Sequence, residues 1–271
     1  MVSVFNFAVG KELLIGRTMN SNAHWIGGRL YKMGGMLDRV LTVTDSLDAI
    51  SGGLVELLSH DPDFIVVVGG LGPTPDDMTL KGVALGLGRR LKPSKEAMRL
   101  MREHVEGTGR VFELTPARRK MAMLPEGSVP LKNGVGTAPG VRLTAGKGTV
   151  VFCLPGVPRE MRDIFLRFAE DEIRGKLGVV HISKATLKLT GVFESAFASS
   201  VGDALKMHPE AYIKSHPKGI RGGVPSLELD LTVTSPAKEV AVSTYSELLA
   251  FLTRRIADLG GRVVSKRESS R

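Results

Sequence analysis

The sequence predicts an α/β protein, with a mostly parallel sheet covered by helices and then a smaller α+β unit. Two observations carry this. Over residues 1–174, short apolar runs alternate with amphipathic stretches of helical spacing, the pattern of repeated strand–helix units. After Arg174-Gly175-Lys176-Leu177-Gly178, which reads as a linker, the order changes to strand–helix–strand–strand–helix over 179–262. Residues 263–271 are polar and read as a frayed tail.

Each element has a local reason. Val2 to Val9 reads as a first strand, ending at Gly10. Asn20-Ser21-Asn22 caps a helix that places Ala23, Ile26, Leu30 and Met33 on one face. Gly27 and Gly28 inside it imply a close neighbour. Met36 to Thr44 reads as a second strand. Ser46 to Ser59 is an amphipathic helix with Leu47, Ile50, Leu54, Leu57 and Leu58 on one face. Phe64 to Val68 is a wholly apolar strand, as a strand buried on both faces should be. Helices are expected over Thr79–Leu87, from Pro93-Ser94 to Val105, and near Pro116–Met123. Gly146-Lys147-Gly148 joins strands Val141–Thr144 and Thr149–Cys153 as a hairpin. The rigid Leu154-Pro155-Gly156-Val157-Pro158 loop opens a helix from Glu160 to Arg174. In the second unit, strands at Ile182–Thr190, Ala211–Ser215 and Leu227–Thr234 alternate with helices at Phe193–Met207 and Val240–Leu259. A loop containing glycine and proline is expected between the last two strands.

Composition excludes several classes. The 271 residues are 42% hydrophobic and 24% charged, as in globular proteins. No apolar run reaches the roughly 18 residues of a membrane helix. The N-terminus lacks the basic start and long apolar core of a signal peptide. Cys153 is the single cysteine, so neither an internal disulfide nor a multi-cysteine metal site is possible, and it reads as a small core hydrophobe. A cytoplasmic location is expected. The net charge of +9 is uneven: residues 81–120 carry eleven Lys or Arg against four acids. That stretch reads either as an electropositive rim for an anionic ligand or as solvated helix faces. With three Tyr and one Trp, base stacking has few platforms, and nucleic acid is not the expected partner.

The densest chemistry is in Phe64–Thr79, FIVVVGGLGPTPDDMT. A strand that runs into Gly69, Gly70, Leu71, Gly72, Pro73 and Thr74 presents backbone N–H groups to an anion. Asp76, Asp77 and Thr79 follow. With Glu12 and Asp45, which close the first two strands, they supply the hard oxygen ligands a divalent cation such as Mg²⁺ takes. Helix capping is the alternative role for Asp45 and Asp77. Asn133 to Gly140 forms a second polar loop, in which Gly136 and Thr137 suit a base or pterin ring. Lys120 and its arginine neighbours suit a phosphate. No histidine pair, nucleophile elbow, dinucleotide fingerprint or Walker loop is present. Gly219-Ile220-Arg221-Gly222 matches the GxxG of a KH domain, but between predicted strands.

Five motifs occur in order: Gly10-x-Glu12-Leu13-Leu14-x-Gly16, Asn20-x-Asn22-Ala23, Gly69 to Thr79, Gly136 to Gly140, and Leu154 to Met161. Over residues 1 to 170 the chain resembles the competence/damage-inducible CinA family, whose N-terminal domain is related to molybdopterin-binding proteins of the MoaB/Mog type. The resemblance implies a three-layer molybdopterin-binding-like fold, followed by a KH-like α+β domain. The family's C-terminal nicotinamide mononucleotide deamidase domain has no counterpart in these residues, so deamidation is not expected. Two activities are implied. The first is metal-dependent hydrolysis of a nucleoside-diphosphate sugar such as ADP-ribose, with Asp77, Asp45 and Asp76 catalytic. In it Asp77, Asp76 and Glu12 hold a divalent metal, and no covalent cofactor is used. The second is binding or adenylylation of a pterin phosphate of molybdopterin type. Gly69 to Thr74, Thr79, Gly136, Thr137, Pro155, Gly156 and Lys120 are the implied ligand-binding residues, and a homodimer or homotrimer is the implied assembly. Asp45 and Asp77 match functional aspartates of the molybdopterin relatives, and Asp76 belongs to the CinA version of the loop. Lys11 stands where the family usually carries Asp. Arg118-Arg119-Lys120-Met121 stands where it carries Asn-x-Lys-Gln.

Overall fold

A computed structural model describes residues 2–270, apart from the Arg221 side chain. The chain divides into two compact units, Met1–Leu177 and Gly178–Arg271. The first contains β1 (Val4–Val9), α1 (Lys11–Leu14), α2 (Ser21–Lys32), β2 (Arg39–Val43), α3 (Leu47–Leu58), β3 (Phe64–Val68), α4 (Thr79–Gly86), β4 (Leu91–Pro93), α5 (Lys95–Gly107) and α6 (Pro116–Met121). Then come β5 (Met123–Pro125), β6 (Val129–Leu131), β7 (Gly140–Ala145), β8 (Thr149–Leu154), α7 (Pro158–Ile164), a π-helical stretch at Phe165–Ala169, and α8 (Glu170–Leu177).

The main sheet has the order β2-β1-β3-β8-β7-β6. Its first four strands are parallel, and β7 and β6 add antiparallel edges. Strand periodicity sends alternate residues to opposite faces. Phe5, Phe7, Ile65 and Val67 therefore meet Ile50, Leu54, Val83 and Met101 from α3, α4 and α5. Val4, Val66 and Phe152 meet Ile26, Leu30, Met161 and Phe165 on the other side. The result is three layers, helix on sheet on helix. Cys153 is fully buried in the first of these faces, and burial pushes its thiol up to about 12. Asn20, Ser46 and Ser94 cap their helices through side-chain oxygens. Ser46, not Asp45, is the cap of α3. Gly27 and Gly28 lack the close neighbour expected of them: a Cβ at Gly27 would make only ordinary contact with Leu37, and one at Gly28 would face open space.

One charged group is buried in the second face. Glu170 is 6% exposed and accepts from Arg29 Nε and Nη2 at 3.0 and 2.6 Å, and from Arg174 Nη2 at 2.7 Å. Burial acts to raise its pKa, but the two guanidiniums win and hold it below the ordinary glutamate value.

The second unit contains β9 (His181–Thr190), α9 (Glu194–Met207), β10 (Tyr212–Arg221), β11 (Val224–Ser235), α10 (Lys238–Asp258) and β12 (Arg262–Ser270). Its sheet is antiparallel throughout, in the order β10-β11-β9-β12. Leu187, Leu229 and Leu231 pack on Phe197, Leu248 and Leu252 of the two helices. Two expectations are corrected. Residues 263–270 are not a tail but most of β12, and Arg271 lies outside the described residues. Ladder hydrogen bonds to β9 hold this edge, and Tyr245 Oη donates to Glu268 at 2.5 Å. The loop expected between Ser215 and Leu227 is the tip of a long hairpin turning at Gly222 and Gly223, both with positive φ. The GxxG lies at that tip, outside the helix-flanked setting of a KH motif. Among the described residues no helix is long and apolar enough to cross a membrane.

Glu170→Gln should lower stability by about 3 kcal/mol in urea unfolding at pH 7, because it leaves Arg29 underpaired at a half-buried site. The folded-state pKa of Glu170 is depressed. Its stabilisation is therefore present above the unfolded value of about 4.3 and is lost as pH falls through the folded value. The variant should lose less stability than the unmodified protein between pH 5 and 3.

Candidate functional site

The loop after β3 is built from backbone that only glycine accepts. Gly69 and Gly70 have φ of +111° and +63°. A Cβ at Gly69 would lie 2.1 Å from the Val9 carbonyl oxygen. Gly69 N donates to Leu154 O at 3.0 Å, and Asn22 Nδ2 donates to Gly156 O at 2.8 Å. The ends of β1, β3 and β8 are thereby joined. Thr79 is fully buried. Its Oγ1 donates to Gly69 O at 2.7 Å, and its N–H to Gly70 O at 3.2 Å. It is a latch on the loop, not the exposed ligand group expected of it.

Farther along, Asp77 Oδ2 accepts from Thr74 N at 2.8 Å and approaches Thr74 Oγ1 at 2.6 Å. Asp76 Oδ1 is 2.5 Å from the same hydroxyl, whose single proton serves one carboxylate at a time. The Thr74 hydroxyl, with the Asp76 backbone N–H, holds the Asp76 carboxyl below its ordinary range. Lys120 Nζ donates to Thr74 O. Lys120 lines a small cavity of about 130 Å³ behind the loop and does not line the main cleft.

That cleft, of about 880 Å³, opens at the carboxyl ends of β3 and β8. Gly70 to Pro73 and Asp77 form one wall. Thr137, Ala138, Pro155 and Gly156 form another, and Arg118, Met121 and Glu160 complete it. Gly136 backs Thr137 without lining the cleft. Of the basic stretch, Arg118 is the residue that reaches it; its guanidinium stacks 4.8 Å over Phe112. Arg99 pairs with Glu96 and Glu103, Lys92 with Glu126, and Arg89 donates to Thr144 O. Much of the charge expected to form a rim is thus held in surface contacts.

Glu12, Asp45, Asp76 and Asp77 line a second cavity of about 270 Å³, next to the first across Gly70 and Asp77. Asp76 and Asp77 are turned to Thr74 of their own loop, and Asp45 and Glu12 to the segment after β1. Asp45 Oδ2 accepts from Lys11 N at 2.9 Å, and Glu12 folds over Gly10, where a Cβ would lie 2.5 Å from its Oε1. Among the described residues no three His, Cys, Asp or Glu side chains form a group able to hold a metal. The oxygens have the right chemistry for a hard cation, but their placement does not compose a divalent-ion centre.

Residues 6–175 match the family described as a probable molybdopterin binding domain. The chain belongs to this molybdopterin-binding domain family. A protein of Aeropyrum pernix is 40% identical over 259 residues, covering 94% of each chain. One from Pyrobaculum arsenaticum is 36% identical over 258 residues, covering 95% of this chain and 96% of its own. The crystal structure of the protein CinA from Thermoplasma acidophilum is 38% identical, with a TM-score of 0.56. It covers 62% of this chain and 96% of that one. The family match supports the molybdopterin-binding reading, and none of these comparisons supports the ADP-ribose pyrophosphatase reading.

In this molybdopterin-binding domain, sequence reasoning missed Glu160 and Asn133 as candidate site residues, whereas Arg118 is one of the arginine neighbours of Lys120 expected to suit a phosphate. Asn133 is 4% exposed, and its Oδ1 accepts from Val135 N and Gly136 N at 3.0 and 2.8 Å. Its Nδ2 donates to Ala138 O and Glu160 Oε2 at 2.8 and 2.7 Å. One asparagine therefore shapes the whole 133–138 loop. The signal was present, since Asn133 opens the second polar glycine loop and Glu160 belongs to the Leu-Pro-x-x-Pro motif.

Gly69→Ala should cost more than about 2 kcal/mol, from strain at positive φ and collision with Val9 O. Thr79→Val should cost about 1–2 kcal/mol, from an unsatisfied buried carbonyl. Both are read by chemical unfolding, and changes within about 0.5 kcal/mol would show that the latch does not hold the loop.

Proposed function

We propose that the first unit binds a phosphorylated pterin of molybdopterin type in the cleft beside Gly70–Pro73. One observation carries this reading. A single cleft of about 880 Å³ joins a glycine turn and one guanidinium, suited to a phosphate, to a wall of Thr137, Ala138 and Pro155. The turn offers backbone N–H groups, and Arg118 offers a charge-assisted donor at the rim. Met121, 7% exposed, and Pro155 give the ring apolar contact. Ligands of open parallel sheets bind at this end of the strands. The family match favours the same ligand class.

Asp77 would act by holding the turn, through Thr74, in the shape that receives the phosphate. Asp45, Asp76 and Asp77 accept from backbone or hydroxyl donors, as groups that hold the loops do. Hydrolysis of a nucleoside-diphosphate sugar remains the competing outcome of the test.

Calorimetry with a pterin phosphate, AMP and ADP-ribose, each with and without Mg²⁺, checks the reading. The pterin phosphate should bind more tightly than either nucleotide. Arg118→Ala should weaken it by about tenfold or more, the worth of a charge-assisted hydrogen bond. Metal-dependent release of AMP and ribose 5-phosphate from ADP-ribose, with no pterin phosphate binding, would replace this proposal with the hydrolase.

A further inference from the structure

We infer that Glu160 reads the ring edge of the ligand and selects a 2-amino-4-oxo heterocycle, the edge that pterins share with guanine, over adenine. The inference rests on the pterin phosphate reading and adds the determinant of its specificity.

Glu160 is in the first turn of α7, and its side chain lines the cleft together with Thr137 and Gly156. The carboxylate is held on two sides. Gly136 presses against it: a Cβ there would come within 2.2 Å of Oε2. Asn133 Nδ2 donates to Oε2 at 2.7 Å. Asn133 has its remaining donor and its carbonyl oxygen committed to the backbone of its own loop, so it cannot rotate away without opening that loop.

Charge distinguishes Glu160 from its neighbours. Arg167 pairs with Asp163 at 2.9 Å, and Arg162 stacks 5.5 Å from the Trp25 ring. Among the described residues no ion pair engages Glu160. A carboxylate has about four lone-pair sites, and Asn133 uses one. The rest can accept two parallel N–H bonds from one ring edge.

Ring chemistry then decides which ligand fits. A pterin offers N3–H and the 2-amino group, and guanine offers N1–H and the 2-amino group. Each presents two adjacent donors matched to the two carboxylate oxygens. Adenine presents an unprotonated ring nitrogen beside its amino group, so one oxygen would face a lone pair. The cleft therefore has opposite demands within it. The glycine turn and Arg118 suit an anion, and Glu160 suits a donor pair. A phosphate joined to a 2-amino-4-oxo ring satisfies both.

The test uses the full chain with four probes: 6-hydroxymethylpterin phosphate, GMP, IMP and AMP. In the unmodified protein GMP should bind at least about tenfold tighter than AMP, with IMP, which lacks the 2-amino group, in between. Glu160→Gln keeps an oxygen for Asn133 but turns the other acceptor into a donor. It should bring GMP and AMP within about twofold of each other, with GMP weakened and AMP strengthened, because the amide N–H can meet the adenine ring nitrogen. Equal binding of GMP and AMP by the unmodified protein would overturn the inference, as would an equal loss of all four probes in Glu160→Gln. If the pterin phosphate binds but the preference survives in Glu160→Gln, the Glu160 assignment alone falls. If the pterin phosphate does not bind, the proposed function falls with it. Should the variant fail to fold, the GMP, IMP and AMP order in the unmodified protein still decides.

Discussion

The first unit depends on the close approach of three parallel strand ends at Gly69. Parallel strands bring their carboxyl termini to one edge, where each chain must leave the sheet without colliding with its neighbour. Between β1 and β3 the clearance is so small that a Cβ on Gly69 would overlap the Val9 carbonyl. On the other side, a Cβ on Gly156 would make ordinary contact with Gly69 Cα at 3.4 Å. Gly69 therefore lets backbones meet where a side chain would hold them apart. Thr79 then fixes the exit path, since its hydroxyl and N–H satisfy Gly69 O and Gly70 O. The cleft exists because the chain leaves β3 in that one direction.

The same constraint explains how the acidic groups behave. Glycine turns expose many N–H groups, and buried or half-buried ones need acceptors. Asp77 takes the Thr74 N–H and Asp45 takes the Lys11 N–H. Asp77 closes its own turn, and Asp45 ties the end of β2 to the start of α1. These aspartates stiffen the rim of the cleft, so their chemistry is first that of the loop. Glu160 differs because its donor is an amide side chain, Asn133, which takes only part of its accepting capacity.

Much of this was legible in the sequence, for definite reasons. β3 is five apolar residues between turn formers, and burial on both faces leaves no other reading of FIVVV. The caps at Asn20, Ser46 and Ser94 follow from short polar side chains before helical periodicity. β12 was not legible. Its residues, RVVSKRESS, lack strand alternation, because an edge strand draws on ladder hydrogen bonds to β9 more than on a buried face. The role of Thr79 was misread for a similar reason. Sequence places a hydroxyl near a phosphate turn, but only the fold shows that it points inward to a carbonyl. Lys120 likewise falls in the right segment, and the helical twist of α6 carries it behind the loop while Arg118 reaches the cleft.

The two walls of the cleft are stiffened by different means, and this bears on selectivity. The glycine turn is held by backbone geometry, which recognises shape and charge in any phosphate. The 133–138 loop is held by side chains: Asn133 from within, and Glu160 and Asp163 from α7, with Gly134 N donating to Asp163 Oδ2 at 2.8 Å. A π-helical stretch follows in the next turn, where Arg167 pairs back to Asp163. On the proposed reading, a substitution in this second network would change which ring edge is accepted without moving the glycine turn. The first wall is thus suited to a broad class of phosphorylated ligands, and the second narrows that class. Because the hydrogen bonds of the two walls have no residue in common, the proposed reading lets affinity for phosphate and choice of ring vary independently.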